Sequence, residues 1–344
     1  MRSTLRLVFC CLVVCCWISL FLFADAATSL AEPDPPASQT PPMIGPALTL
    51  PGIAPGTPMK FVAYGDTRFT DPSNVTDTNP KVRQFLVKQI AAEKPLAIFI
   101  TGDTPFTGSD PADWKVFQQE TKAWRNENLH VFPTTGNHEI KGGYNAGVAN
   151  YLANFPQLKG YRYYSAQIGN VYLISLDGIQ TAGIKSPQYA WLKSQLENIP
   201  ADIDFVFLLH HMPWMADVQT QIAAKLPSKE ELTLRDLLES EAAKSHAKFI
   251  VLNGHIHNYE RFERQGITYL ISGGGAAKAY PILIRGDEDQ YGSNSKLPPP
   301  LINYHYLVIQ VEGKHAEGTM YRVADPKAEK LSVEKRDEFV LDKK

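Results

Sequence analysis

Short apolar runs alternate with amphipathic stretches from about residue 59 to the end of the chain. Runs such as 96–101 and 205–209 are apolar throughout, which is typical of strands buried on both faces of a sheet. Stretches such as 81–93 place apolar residues at helical spacing. The pattern predicts strands at 60–64, 96–101, 131–135, 161–168, 171–176, 205–209, 249–252, 267–272, 306–311 and 319–323, and helices at 81–93, 112–126, 146–155, 189–198 and 231–245. This alternation predicts an α/β domain, with later hairpins adding an antiparallel part.

The N-terminus has the pattern of a secretory signal peptide at 1–26. Arg2 and Arg6 precede an almost continuous apolar run, and small residues at 24–26 offer a cleavage site. The run is also long enough to span a bilayer, so an uncleaved anchor through residues 7–24 is the alternative. We therefore expect an exported protein, periplasmic or secreted, with a membrane tether if cleavage does not occur.

Residues 27–58 are dense in proline and poor in charge. Proline removes backbone donors and favours extended geometry, which predicts a semi-rigid linker. The alternative is an irregular strand on the domain surface over 43–58. We expect the folded domain to occupy residues 59–344.

Charge and cysteine content argue against two classes of function, nucleic-acid binding and cysteine-based chemistry. The chain has 34 Lys+Arg against 36 Asp+Glu, a formal net charge of −2, so no nucleic-acid binding patch is expected. All four cysteines lie within the first sixteen residues, which excludes disulfides and thiolate chemistry in the predicted domain.

Five polar clusters each follow a predicted apolar strand. They are GDTR at 65–68, GD at 102–103, GNHE at 136–139, HHMP at 210–213 and GHIH at 254–257. Residues just beyond the carboxyl ends of strands in an open α/β sheet converge on one crevice. Carboxylate and imidazole ligands suit Fe, Mn or Zn, and this set is too large for one closed zinc site. The clusters therefore predict two metal ions that share a bridging carboxylate.

In this order, the five clusters resemble those of the calcineurin-like metallophosphoesterases. The sequences NYER at 258–261 and YLISGGG at 269–275 are similar to the purple acid phosphatase branch. The resemblance covers roughly residues 60–323. It implies a four-layer α/β/β/α sandwich, in which two mixed sheets are flanked by helices.

The resemblance also implies roles for individual side chains. Six would ligate the two ions: Asp66, Asp103, Asn137, His211, His255 and His257. Asp103 would bridge both ions, Asp66 and His257 would hold the first, and the remaining three would hold the second. His138 would contact the phosphate and protonate the leaving oxygen.

Two positions depart from the family pattern. Arg68 stands where many phosphoesterases have a metal-ligating His, and Phe106 stands where purple acid phosphatases have the Tyr that gives their colour. We therefore expect a protein that is not purple, with a more exchangeable first ion whose identity stays open among Fe, Mn and Zn. Our hypothesis for Arg68 is that its forked donors reach the substrate phosphate.

The resemblance implies an exported phosphoesterase with two metal ions, most simply a phosphomonoesterase acting on a small-molecule phosphate ester. A metal-bound hydroxide would attack phosphorus in line. The alternatives are a phosphodiesterase acting on nucleotides or phospholipid headgroups, and a non-catalytic phosphate-binding relative. Residues 276–303 form a long stretch without a clear pattern, either a substrate lid or a plain surface insertion.

Overall fold

The computed structural model describes residues 47–341 except Pro55, Arg285 and Asp287. The predicted signal peptide and the first part of the predicted linker lie outside the described residues. The strands are β1 Ala47–Thr49, β2 Met59–Tyr64, β3 Ala97–Ile100, β4 His130–Pro133, β5 Tyr164–Ile168, β6 Val171–Ser175, β7 Phe205–Leu209, β8 Lys248–Asn253, β9 Tyr259–Arg264, β10 Ile267–Ser272, β11 His305–Glu312, β12 His315–Val323 and β13 Val333–Val340. The helices are α1 Pro80–Glu93, α2 Pro111–Glu120, α3 Lys122–Asn126, α4 Tyr144–Asn154, α5 Pro187–Glu197, α6 Val218–Ala224, α7 Lys229–Ala242 and α8 Gln290–Asn294.

The strands form two mixed sheets. The seven-stranded sheet has the order β1-β5-β6-β7-β8-β10-β9, and the six-stranded sheet has the order β13-β12-β11-β2-β3-β4. Strands β2, β3 and β4 are parallel to one another, as are β6, β7 and β8. The carboxyl ends of each parallel set therefore lie at one edge of its sheet.

Aromatic side chains join the two sheets face to face. The Phe207 ring of β7 packs edge-on against Phe61 of β2 and Phe99 of β3, with centroids 5.7 and 5.8 Å apart. On the other face of β2, Tyr64 meets Trp124 of α3. Helices α5 and α7 cover the opposite face of the seven-stranded sheet in a separate apolar cluster. These contacts confirm the four-layer α/β/β/α arrangement.

The predicted helix 112–126 is two helices in the structure, because α2 ends at Glu120. Thr121 Oγ1 donates to Phe117 O at 2.5 Å, a side-chain bond that competes with regular helical pairing. The Thr121 side chain is fully buried, so this break is fixed by packing and was not visible in the apolar spacing.

Part of the predicted linker joins a sheet. Strand β1 pairs in parallel with β5, from Ala47 opposite Ser165 to Thr49 opposite Gln167. The range 27–58 therefore includes three residues of strand, which lie within 43–58, where the alternative was a strand on the domain surface. The domain boundary at residue 59 stays a prediction.

Among the described residues, no helix is both long enough and apolar enough to cross a membrane.

Candidate metal centre

Five loops at the carboxyl ends of β2, β3, β4, β7 and β8 bring the predicted side chains into one crevice between the two sheets. Asp66, Asp103 and His211 each offer one ligand atom, and these three atoms lie within 4.8 Å of one another. All three side chains are buried. Two sheets thus contribute to one cluster, as the spacing of the motifs predicts.

Asp103 lies among three basic side chains. Its Oδ1 is 3.3 Å from His211 Nε2, and its Oδ2 is 3.5 Å from Arg68 Nη2 and 3.9 Å from His138 Nε2. The backbone N–H of His138 also donates to Asp103 Oδ1 at 2.9 Å. This central position fits a carboxylate shared by two ions.

The remaining predicted ligands contact one another or Asp66. His257 Nε2 is 3.5 Å from Asp66 Oδ1. His255 Nδ1 is 3.2 Å from Asn137 Oδ1 and 3.3 Å from His211 Nε2. The structure therefore groups all six predicted ligands, with His257 next to Asp66 and His255 next to Asn137 and His211.

Backbone carbonyls orient two of the imidazoles. His211 Nδ1 lies 2.8 Å from Thr101 O, and His257 Nδ1 lies 2.7 Å from Lys278 O. A ring nitrogen that donates to a carbonyl leaves the other nitrogen with a lone pair for a metal. In both residues, that other nitrogen is the Nε2 facing a carboxylate.

Tight backbone geometry brings these side chains together. Asp66, Asp103 and His255 have φ angles of 53°, 54° and 69°, in the left-handed region that non-glycine residues rarely occupy. Such strain clusters at functional sites. A Cβ on Gly136 would come within 2.4 Å of Asp103 Oδ1, so this position requires glycine.

Glu139 fixes the loop that carries Asp103. Its Oε2 accepts hydrogen bonds from Asp103 N and Gly136 N at 3.0 and 2.6 Å, and its Oε1 accepts from Thr104 N at 2.8 Å. Burial, together with the nearby Asp103 carboxylate, raises the pKa of Glu139 to about 8. Glu139 therefore positions ligands rather than binding an ion.

The chemistry of the donor set fits metal ions. Asp66 Oδ1 and Asp103 Oδ2 are buried and have no hydrogen-bond partner. Burial raises the pKa of Asp66 well above its usual range, and the Asp103 charge adds to the effect. Burial also lowers the pKa of His255 to about 3, which keeps its imidazole neutral as a ligand must be. Two buried carboxylates, each with one oxygen that accepts no hydrogen bond, are suited to binding cations together with neutral imidazoles.

Arg68 and His138 line the same crevice. Arg68 Nε is buried without a hydrogen-bond partner, while its side chain is 16% exposed. His138 Nδ1 lies 2.5 Å from Phe106 O, so its Nε2 faces the Asp103 side of the crevice. Phe106 packs its ring against His138 and supplies no ligand atom.

Sequence reasoning missed two contributors from the segment 276–303. Lys278 O orients His257, and the Tyr280 ring stacks on the His257 ring with centroids 4.5 Å apart. Neither residue lies in a motif, and their position depends on how the segment returns to the crevice. His210, beside the predicted ligand His211, instead accepts a hydrogen bond from Trp214 Nε1 at 2.9 Å.

The chain matches the sequence profile described as calcineurin-like phosphoesterase over residues 59–273. It belongs to that family. Purple acid phosphatase 22 of Arabidopsis thaliana is 23% identical over 294 residues, which cover 78% of this chain and 61% of that protein. Fe(3+)-Zn(2+) purple acid phosphatase 12 of Arabidopsis thaliana is 25% identical over 245 residues, 65% of this chain and 48% of that protein.

A solved structure shows the same fold. The purple acid phosphatase isolated from yellow lupin (Lupinus luteus) seeds superimposes with a TM-score of 0.62 at 15% identity, covering 84% of this chain and 55% of that one. The chain thus spans roughly half to three fifths of the length of these relatives. Within the family, the resemblance to the purple acid phosphatase branch is confirmed.

Proposed function

We propose that this protein is a metal-dependent phosphatase that hydrolyses phosphate monoesters. The observation that carries the proposal is the convergence of six candidate ligands around two buried carboxylate oxygens that accept no hydrogen bond. The names of the similar relatives, one of them an Fe(3+)-Zn(2+) enzyme, support a phosphatase with two metal ions.

We assign the ligands as the family resemblance implies. Asp66, Asp103 and His257 would hold one ion, while Asn137, His211 and His255 would share the other with Asp103. When bound, two such ions activate water and neutralise the charge that develops on a transferring phosphoryl group. The protein's part is to keep the imidazoles neutral, to fix both carboxylates and to hold the ester in line.

His138 is the proposed proton donor to the leaving oxygen. Its Nδ1 is held by Phe106 O, which orients the ring and leaves Nε2 directed into the crevice. Because Nδ1–H donates to Phe106 O, Nε2 carries a proton only in the imidazolium form, and that form would transfer its Nε2 proton to the departing alkoxide as the phosphorus–oxygen bond breaks.

Arg68 supports a monoester as the preferred substrate. A phosphate monoester carries one more negative charge than a diester near neutral pH, and the buried Nε of Arg68 has no hydrogen-bond partner. A guanidinium presents paired donors that match two phosphate oxygens. Replacing Arg68 with Ala should lower kcat/KM by about 10- to 100-fold, as expected for a charged hydrogen bond worth about 1.5–3 kcal/mol.

The control for that test is Arg68→Lys, which keeps the positive charge but lacks the paired N–H donors of the guanidinium. It should recover only part of the activity, and inorganic phosphate should inhibit Arg68→Ala less strongly than the wild type. If Arg68→Ala has wild-type kinetics and is inhibited by phosphate as strongly as the wild type, Arg68 does not bind the substrate phosphate.

The function itself is tested by comparing p-nitrophenyl phosphate with bis-p-nitrophenyl phosphate in the presence of Mn, Fe, Zn or Mg. Monoester turnover that disappears in Asp103→Asn is the expected result. A strong preference for the diester would favour the phosphodiesterase alternative. Tight phosphate binding without turnover would indicate a non-catalytic relative.

We further propose that residues 1–26 are a signal peptide that directs export of the protein. The linker and the phosphatase domain follow this segment. The charged start, the apolar run and the small residues at 24–26 support this proposal. The intact mass of the protein produced in its host tests it, since cleavage predicts a chain that begins near residue 27. A full-length, membrane-associated chain would favour the anchor.

A further inference from the structure

A second cluster of buried carboxylates lies outside the metal centre. Asp217, Glu260 and Asp289 each offer one oxygen, and these oxygens lie within 4.8 Å of one another. The residues are 4%, 0% and 0% exposed. Three acids buried together are costly unless something compensates their charge.

Hydrogen bonds position Glu260 and Asp217 but do not use all their oxygens. Glu260 Oε2 accepts from Asp217 N at 3.0 Å, and its Oε1 accepts from Thr220 Oγ1 at 2.7 Å. Asp217 Oδ1 caps α6 by accepting from Thr220 N at 2.9 Å. Asp217 Oδ2 is buried and has no hydrogen-bond partner.

Asp289 repeats this arrangement from a different part of the chain. Its Oδ1 accepts from Tyr291 N at 3.0 Å, at the start of α8, and from Arg261 N at 3.2 Å. Its Oδ2 is also buried without a partner. Two orphaned carboxylate oxygens therefore belong to the same cluster.

No basic side chain in the described part of the chain forms an ion pair with these three acids. The guanidinium of the neighbouring Arg261 pairs instead with Asp337 at 2.6 Å. Burial, with repulsion from the other two carboxylates, raises the pKa of Glu260 to about 8. Burial likewise raises the pKa of Asp289 to about 6. Within the residues that the structure describes, the charge of the cluster is therefore not balanced by an ion pair.

We propose that Asp217, Glu260 and Asp289 bind a hard divalent cation, Ca²⁺, at a structural site separate from the metal centre. Carboxylate oxygens without imidazole or thiolate ligands favour Ca²⁺ or Mg²⁺ over transition metals. Two oxygens that each lie about 2.4 Å from one Ca²⁺ are at most about 4.8 Å apart. Mg²⁺ retains several waters, whereas Ca²⁺ accepts a site built mainly from protein oxygens, which suits this depth of burial.

The cation would connect three separate parts of the chain. Asp217 lies six residues after His211, Glu260 lies three residues after His257, and Asp289 belongs to the segment 276–303. That segment also supplies the carbonyl of Lys278 that orients His257. Bound Ca²⁺ would therefore hold the segment against the crevice. This role does not depend on the phosphatase proposal.

The test measures Ca²⁺ binding in the purified full-length chain carrying Asp103→Asn, which disables the metal centre. Equilibrium dialysis with radioactive Ca²⁺ should give one ion per chain, and Ca²⁺ should raise the Tm. Adding Asp289→Asn should weaken binding by at least about tenfold, because ligand charge sets affinity at such sites. The matched control is Asp236→Asn, an exposed acid that should change neither quantity.

The proposal would be overturned if the Asp103→Asn protein bound no Ca²⁺, or if adding Asp289→Asn left its Ca²⁺ affinity unchanged. It would also be overturned by a third result, in which Asp289→Asn raises the Tm in Ca²⁺-free buffer while Ca²⁺ does not change the Tm of the Asp103→Asn protein. The last would show that the acids share protons instead. If Asp289→Asn does not fold, Glu260→Gln is measured in its place against the same outcomes.

Discussion

At the scale of single residues, hydrogen bonds to neighbouring groups orient the side chains that form the crevice. His211 and His257 are fixed by carbonyls of Thr101 and Lys278, and Glu139 fixes the loop carrying Asp103. Replacing an orienting partner of this kind typically costs about 10- to 100-fold in metal affinity or activity. Arg68 differs because its Nε has no hydrogen-bond partner, and in the proposed function this N–H donates to a substrate oxygen.

Replacing His138 with Ala should lower kcat by about 100- to 10,000-fold on alkyl phosphates, the usual contribution of a general acid. The loss should be smaller on p-nitrophenyl phosphate, because nitrophenolate leaves without needing a proton. Steady-state kinetics on both substrates measure the difference. His246→Ala, at an exposed site, is the control. An equal loss on both substrates would contradict the proton-donor role.

At the scale of elements, the parallel strands place each ligand loop at the same edge, and glycine lets the loops approach closely. A Cβ on Gly254 would lie 2.6 Å from both Asp66 Oδ2 and Thr101 O. The loop after β8 therefore reaches its ligand position only with glycine there.

Gly254→Ala should consequently reduce both bound metal and turnover, because Asp66 or the loop carrying His255 must move. The control is Gly183→Ala, whose Cβ would meet only Thr181 Oγ1 at 3.7 Å, an ordinary contact. Metal content and kcat are measured on both variants. Wild-type metal content in Gly254→Ala would show that the crevice tolerates the added atom.

The strands that carry the site were predictable because most of their residues are apolar. The prediction of 205–209 matches β7 residue for residue, and GD, GNHE or GHIH motifs mark where such strands end. Strand β9, with the sequence YERFER, was not predicted, because two charged residues follow each aromatic residue and break the two-residue period of a strand. Its register comes from pairing with β10. The contacts of Tyr280 and the acid cluster at Asp289 depend on long-range folding of 276–303, which has no periodic pattern.

At the scale of the whole molecule, we expect bound cations to change how the free energy of unfolding depends on pH. Burial raises the pKa of Glu139 and of Glu260 from 4.5 to about 8. A carboxyl group whose folded pKa is raised stabilises the protein fully below its unfolded pKa, and this stability is lost as pH rises through the folded pKa.

Metal-free protein should therefore lose free energy of unfolding between about pH 6.5 and pH 8, because below pH 6.5 the lowered pKa of buried His255 has the opposite effect. Protein loaded with metals should lose much less, because cations stabilise the ionised carboxylates and bind only the folded chain. Denaturant titrations at several pH values, with and without a chelator, measure both curves. Parallel curves would show that the buried acids are not coupled to bound metal.

The central claim, a phosphatase with two metal ions, is tested most directly by measuring metal content and monoester turnover on the same purified sample. The account predicts two transition-metal ions per chain in the wild type, with both the bridging site and turnover lost in Asp103→Asn. Turnover that persists after the metal ions are removed, or a wild-type crevice that takes up no transition metal, would contradict it.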